Sequence, residues 1–153
     1  MSIFSQFLIL FSLLFSCIAD LCGGNCPSNS CPKCVCGLTP ELVSINAWCA
    51  KYSWDQRCCK CIVSHESAGN INALNYNVDG SYDVGLFQIN QCNWGTCNGG
   101  KAPCDLNENL QCAIQIYKWS GNSFELWATA AKCGCDKKLE ILDIPTDQQV
   151  EWD

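Results

Sequence analysis

Apolar residues recur at helical spacing in four parts of this chain, and three of these parts begin with residues typical of a helix start. The first stripe follows Thr39-Pro40-Glu41, which supplies a capping side chain, a first-turn proline and an acid near the positive helix end. Its members are Leu42, Ile45, Cys49 and Tyr52. The pattern predicts a helix over 40–52.

A second helix is predicted directly after the first. Ser53-Trp54-Asp55-Gln56 matches a capping box, and apolar residues continue at helical spacing after it. That stripe comprises Trp54, Cys58, Cys61, Ile62 and His65. The helix should run to about Glu66, which places this acid at its C-terminal end.

Two later helices are predicted in the second half of the chain. Asp105-x-x-Glu108 caps a stripe that ends near Ser120-Gly121. The stripe consists of Leu110, Ala113, Ile114 and Tyr117. A shorter helix should follow, carrying Phe124, Trp127, Ala128 and Ala131.

The stretch between the second and third helices has a different composition. Asn and Gly are frequent, and Asp79-Gly80 forms a turn signal between short segments, which predicts a small antiparallel hairpin or three-stranded sheet. Asp83 would lie on the second strand and face the second helix. The chain is therefore predicted to be a mainly helical α+β protein with a small antiparallel sheet flanking a cleft.

The amino terminus carries an apolar run over 7–15. Cys17-Ile18-Ala19 follows it and provides small residues where a signal peptidase would cut. This pattern predicts a secretory signal peptide over 1–19, although the usual basic residues before the run are missing. A retained membrane anchor is the alternative, but the run is short for a span of about 20 residues. Leu14-Phe15-Ser16-Cys17 also weakly resembles a bacterial lipoprotein site.

Sixteen cysteines in 153 residues, together with the predicted secretion, indicate a disulfide framework. Removal of Cys17 with the signal peptide would leave an odd number. One cysteine would then be unpaired, would pair between chains, or the cleavage site would differ. Zinc binding is the alternative for the closely spaced cysteines at 31–36 and 58–61. We predict no metal and no cofactor.

The net charge of −6 is uneven, since residues 136–153 carry −4 of it. This balance argues against binding to nucleic acid and against stable membrane association. We divide the chain into a signal peptide at 1–19, a Cys-rich segment at 20–38, one catalytic domain at 39–135 and an acidic tail at 136–153.

Glu66 and Asp83 are the candidate catalytic pair. Cleavage of a glycosidic bond needs two carboxyl groups on opposite walls of a cleft, one protonated and one ionised. Considered alone, Glu66 is more often a solvated glutamate at a helix end, and Asp83 a turn-flanking aspartate that caps its own backbone. An apolar helix bearing Trp127 near Glu66 would instead raise the pKa of that acid.

The segment from Cys61 to Asn90 resembles the c-type lysozyme family. The resemblance is carried by Glu66-Ser67, by Asn77-x-Asp79-Gly80-Ser81-x-Asp83-x-Gly85 and by Phe87-Gln88-Ile89-Asn90. It implies a lysozyme-like fold and hydrolysis of the β-1,4 bond between N-acetylmuramic acid and N-acetylglucosamine in peptidoglycan. In that case Glu66 is the general acid and Asp83 is the nucleophile or stabiliser. Lysozymes are also the established case of an acid whose pKa is raised by a tryptophan-lined pocket, so the resemblance implies a raised pKa for Glu66.

The resemblance also assigns residues that orient the two acids or bind the sugar. These are Ser67, Asn75, Asn77, Gln88, Asn90, Trp94 and Trp127. It further implies a bridge between Cys61 and Cys133 and a loop-bridging group of Cys97, Cys104 and Cys112, whose pairing Cys92 leaves open. Asn93 stands where many members carry another aromatic residue.

Two other functions are compatible with the same motifs. A lytic transglycosylase also has a Glu-Ser opening and a Gln-Ile-Asn strand, and it uses one catalytic acid. A non-catalytic sugar-binding or regulatory protein on the same scaffold is the second alternative, and retention of both carboxylates argues against it. We expect a monomer that acts on peptidoglycan, secreted or in a lysosomal or phagosomal lumen.

Overall fold

The computed structural model describes Cys26, Cys31 and residues 33–136. The predicted signal peptide lies outside the described residues, and so does the acidic tail apart from Asp136. The proposed division of the chain therefore stays a prediction. Within the described part, no helix has both the length and the apolar character needed to cross a bilayer.

Five helices and three strands make up the described part of the chain. The helices are α1 (Ile45–Cys49), α2 (Gln56–Glu66), α3 (Gln91–Cys97), α4 (Leu106–Trp119) and α5 (Ala130–Cys133). The strands are β1 (Leu74–Tyr76), β2 (Tyr82–Val84) and β3 (Ile89–Asn90). The predicted α+β class, with a small antiparallel sheet among helices, is confirmed.

Helix α1 is shorter than the predicted helix over 40–52. The residues before it are extended and pair with the loop that follows α2, since the Val43 amide donates to Gly69 O and Leu42 forms a bridge with Asn70. Ser44 then caps α1 by accepting a hydrogen bond from the Ala47 amide. Long-range pairing therefore overrides the capping signal at Thr39.

Helices α2 and α4 agree closely with their predicted ranges. Asp55 caps α2, with its side chain accepting from the Cys58 amide, so the cap lies two residues after the predicted Ser53. Asp105 caps α4 as predicted, and its side chain accepts from the amides of Asn107 and Glu108.

The predicted helix through Phe124 and Trp127 is wrong for most of its length. Its amides bond three residues back, from Trp127 to Phe124 O and from Ala130 to Trp127 O, so this segment forms successive turns. Regular helix begins only at Ala130. Helix α3 is absent from the sequence-based prediction because its short sequence lacks an apolar stripe.

The three-stranded sheet has the order β1-β2-β3 and is antiparallel throughout. Asn75 is opposite Asp83 in one pair of strands, and Asp83 is opposite Asn90 in the other. The register therefore sets two asparagines beside the same aspartate. The predicted turn at Asp79-Gly80 is present, with the Gly80 amide donating to Asn77 O and Gly80 at φ 86°.

Six disulfides join described residues. The bonded pairs are Cys26–Cys31, Cys36–Cys104, Cys49–Cys59, Cys58–Cys135, Cys61–Cys133 and Cys97–Cys112. Cys34 is disulfide-bonded as well. The expected bridge between Cys61 and Cys133 is confirmed. Because the closely spaced cysteines are engaged in disulfides, the zinc alternative is wrong for them.

Cys92 is the free, exposed cysteine of the described residues. The pairing that was open in the loop-bridging group is now defined. Cys97 pairs with Cys112, and Cys104 pairs with Cys36. Cys104 thus attaches the N-terminal Cys-rich segment to the loop before α4.

A buried asparagine connects α4 to the sheet. Asn109 is 1% exposed and accepts a hydrogen bond from the Phe87 amide at 2.9 Å. Its side-chain amide donates to Val84 O at 3.0 Å and to Pro103 O at 2.9 Å. A Cβ at Gly85 would collide with this amide, so glycine is required there both for space and for its φ of 78°.

Replacement of Asn109 by Ala should lower the free energy of unfolding by about 3 kcal/mol, because it leaves the buried Phe87 N–H without an acceptor and opens a cavity. Asn107→Ala is the matched control, since Asn107 is exposed on the same helix. Denaturant unfolding with the disulfides intact measures both variants. Equal stability of the two would contradict the assigned role of Asn109.

Candidate active site

Glu66 is the last residue of α2, and its carboxyl group is half-buried at the edge of a cleft. The Thr129 hydroxyl donates to Glu66 Oε1 at 2.5 Å, across 63 residues of sequence. Burial raises the pKa of Glu66 above the ordinary value of a glutamate, and the negative charge of Asp83 raises it further. The hydrogen bonds from Thr129 act in the opposite direction because they stabilise the carboxylate.

Ser67 anchors the end of α2 to the loop before β3. Its side chain is 8% exposed, and its hydroxyl donates to Leu86 O at 2.7 Å. The same oxygen accepts from the Gly69 amide at 3.2 Å. These bonds fix the backbone on which Glu66 is carried, so Ser67 positions the acid.

Asp83 lies at the centre of β2 and is surrounded by amide donors. Asn75 and Asn77 both donate to its Oδ2, at 3.1 and 3.0 Å, and Asn90 donates to its Oδ1 at 2.7 Å. An ionised carboxylate accepts hydrogen bonds only, so three donors favour its charged form. The two carboxyl groups therefore have opposite environments.

A second layer of polar contacts holds the asparagines in place. Ser81 Oγ accepts from Asn77 at 3.1 Å and from Asn90 at 3.2 Å, and it donates to Asp79 Oδ1 at 2.7 Å. Asn90 also caps α3 through its Oδ1, which accepts from the Cys92 amide. The orientation of the Asn90 amide toward Asp83 is thus fixed from both ends.

Gln88 stabilises the turn between β2 and β3. Its side-chain amide donates to Ala73 O at 3.1 Å and to Gly85 O at 2.9 Å. Its backbone is in the left-handed region, at φ 48°, which a non-glycine residue adopts only where its surroundings hold it. Gln88 thereby ties the turn to the start of β1.

The cleft between sheet and helices has a volume of about 800 Å³. Glu66 and Asp83 both line it, and the charged residues among its lining are these two and Asp79, all acidic. Its walls come from the hairpin on one side and from α4 with the segment before α5 on the other. A volume of this size accommodates an oligosaccharide segment.

Seven of the nine predicted site residues line the cleft. They are Glu66, Asp83, Asn75, Asn77, Gln88, Asn90 and Trp127. Trp127 is 6% exposed, donates from Nε1 to Phe87 O and packs on Phe124, so it belongs to both the core and the cleft wall.

Ser67 and Trp94 are not among the lining residues. Trp94 is 8% exposed and donates from Nε1 to Ile89 O at 3.0 Å, which places it in the core. Asn93, its neighbour, lines the cleft instead. Ser67 and Trp94 are therefore neighbours of cleft residues in the sequence, but their own side chains are buried and bonded to backbone carbonyls instead of lining the cleft.

Three residues of the site, Thr129, Trp119 and Leu126, are not predicted from the sequence. Thr129 contacts the acid directly, whereas Trp119 and Leu126 line the cleft. A threonine in a turn has no pattern that announces a contact 63 residues away. Trp119 and Leu126 are exposed at 50% and 59%. Their sequence positions do not indicate a binding role, because only the fold places them in the cleft wall.

Comparisons with known proteins agree with this arrangement. A family model described as Transglycosylase SLT domain matches residues 43–132. A lysozyme from Bombyx mori is 30% identical over 138 residues, covering 80% of this chain and 87% of the relative. Lysozyme c-1 of Anopheles gambiae is 35% identical over 77 residues, covering 44% of this chain and 54% of the relative.

Lysozyme C-2 of Mus musculus is 50% identical over 70 residues. That match covers 38% of this chain and 46% of the relative, so the mouse and mosquito matches each span about half of the relative's length. The silkworm match spans most of both chains. The identity over that span, the matching domain model and the lysozyme-like α+β fold show that this chain belongs to the c-type lysozyme family.

Proposed function

We propose that this protein is a lysozyme that hydrolyses the β-1,4 bond between N-acetylmuramic acid and N-acetylglucosamine in bacterial peptidoglycan. The contrast between a buried acid at Glu66 and a carboxylate with three amide donors at Asp83 carries the proposal. Family membership implies the same class of glycoside hydrolase.

Glu66 is the general acid of the proposed reaction. Burial keeps its proton bound at a pH at which an ordinary glutamate is ionised, so it can protonate the oxygen of the leaving sugar as the C–O bond breaks. The resulting carboxylate then accepts a proton from the water that completes hydrolysis. The Thr129 hydroxyl stabilises that charged form between the two steps.

Asp83 stabilises the positive charge that develops at the anomeric carbon of the sugar. Its carboxylate attacks this carbon or stabilises it, and the amides of Asn75, Asn77 and Asn90 hold it ionised and correctly oriented. Because these amides are already oriented before the reaction, no free energy is needed to reorganise solvent as the charge develops. No cofactor takes part in this scheme.

The disulfide framework is consistent with secretion or with a lysosomal or phagosomal lumen, because these compartments permit disulfides. The cleft carries acidic side chains and the chain has a net charge of −6. Bacterial walls are also negatively charged, so mutual repulsion decreases in an acidic compartment. This favours digestion of bacteria at acidic pH.

Glu66→Gln should reduce clearing of a bacterial cell suspension by at least about 100-fold, because it removes the transferable proton while keeping the shape of the side chain. Turbidity measurements on the purified protein test this. Glu125→Gln makes the same chemical change at an exposed residue that does not line the cleft, and it should retain full activity. Equal clearing by Glu66→Gln and the wild type would support a non-catalytic sugar-binding role instead.

The match to a transglycosylase domain model favours a lytic transglycosylase as the second candidate. In that reaction a hydroxyl of the sugar replaces water, so products end in 1,6-anhydro rings. The released muropeptides should carry reducing ends if the proposed hydrolysis is correct. Anhydro ends, together with an Asp83→Asn variant of undiminished activity, would favour the transglycosylase.

Activity should fall as pH rises through the raised pKa of Glu66, because the general acid is protonated only below that pKa. Thr129→Val removes a hydrogen bond that lowers this pKa, so the descending limb of the pH profile should move to higher pH. Thr129→Ser keeps the hydroxyl and should leave the limb in place. A limb that is identical in wild type and Thr129→Val would show that Thr129 does not tune Glu66.

A further inference from the structure

Trp119 is a large apolar side chain exposed on the wall of the cleft. It is the last residue of α4, lines the cleft and is 50% exposed. An exposed indole in the lining of a cleft offers apolar surface that a bound ligand can remove from water. Its position at the mouth of a substrate site makes a ligand the relevant partner.

Three tryptophans are buried in the described part of the chain, and their indole N–H groups are engaged internally. The bonds run from Trp54 to Cys49 O at 2.8 Å, from Trp94 to Ile89 O at 3.0 Å and from Trp127 to Phe87 O at 3.0 Å. Within the residues that the structure describes, the Trp119 N–H has no acceptor and its ring contacts no other aromatic ring. Trp119 is therefore available, through its face and its N–H, to an external molecule.

The backbone that carries Trp119 is held firmly. The Ser120 amide donates to Ile116 O, and the Ser120 and Ser123 hydroxyls each donate to the carbonyl of the other residue. The Asn122 amide donates back to Tyr117 O. Because the backbone is fixed and an indole side chain has only two torsions, stacking of a ligand on the ring costs little conformational entropy.

The surroundings of Trp119 suit an uncharged ligand with an apolar face. Ile116 lies one turn earlier on the same face of α4, and Leu126 lines the cleft at 59% exposure. Among the described residues that line the cleft there is no Lys or Arg to pair with an anionic group. An N-acetylglucosamine ring has an apolar C–H face, no charge and an acetamido carbonyl that an indole N–H can bond.

We infer that Trp119 is a specificity-determining residue that stacks against an N-acetylglucosamine unit of the bound polysaccharide. This inference rests on the proposed function and adds to it an aromatic platform on the α4 side of the cleft. Asn93 lines the cleft and offers no aromatic surface, so Trp119 supplies the stacking surface from a different element.

Titration calorimetry with the hexamer of N-acetylglucosamine tests the inference, using Glu66→Gln as the parent so that the sugar is not cleaved. Adding Trp119→Ala should weaken binding about 10-fold, the equivalent of about 1.4 kcal/mol. Adding Trp119→Phe keeps an aromatic face and should restore most of the affinity. Leu38→Ala, at an exposed leucine outside the cleft lining, is the control and should bind like the parent.

Thermal unfolding of each variant should be unchanged, since Trp119 is half-exposed. Oxidation of Trp119 by N-bromosuccinimide, mapped by mass spectrometry, should be suppressed by the hexamer in the parent, which a purely structural role would not produce. Parent-like binding by Trp119→Ala, or oxidation of Trp119 that the bound hexamer does not suppress, would overturn the inference. Failure of the parent to bind either the hexamer or peptidoglycan fragments would instead refute the proposed function.

Discussion

Two carboxyl groups from different parts of the fold face one cleft, and a small set of buried polar links fixes their relation. Ser67 joins the end of α2 to Leu86 in the loop before β3, and Gln88 joins the same loop to the start of β1. Asn109 attaches that loop to α4. Since α2 carries Glu66 and β2 carries Asp83, these links set the geometry on which the proposed chemistry depends.

The disulfides hold the third component of the site in place. Cys61–Cys133 and Cys58–Cys135 tie α2 to the end of the described chain, and the turn that ends at Thr129 leads directly into α5. Thr129 is thereby kept opposite Glu66. A domain of this size has a limited core, and covalent links restrict the unfolded chain and so stabilise the arrangement.

The environment of each carboxyl group, more than its identity, distinguishes the proposed roles of the two groups. Burial and a neighbouring negative charge raise the pKa of Glu66, whereas three amides donate hydrogen bonds to Asp83. The sheet register produces the second condition directly, because Asn75 and Asn90 are the cross-strand neighbours of Asp83. The short sheet therefore forms a wall of the cleft and also supplies the amide donors that stabilise negative charge on Asp83.

Much of this arrangement could be predicted from the sequence, and the failures have physical causes. Periodicity and caps located α2 and α4, and a local motif located Glu66 and Asp83. Residues 41–43 pair with a distant loop, so α1 could not be bounded from local signals. Thr129 and Asn109 make contacts that are distant in sequence. Local sequence patterns do not indicate that Asn109, within a helical stripe, bonds to three backbone groups.

The most direct test of the central claim is the titration of the individual carboxyl groups by carbon-detected NMR in the wild type and in Asp83→Asn. We expect Glu66 to titrate above the ordinary glutamate range in the wild type. Its pKa should fall, while staying raised by burial, when the charge of Asp83 is removed. A Glu66 that titrates within the ordinary range, or one indifferent to Asp83, would contradict the proposed division of roles.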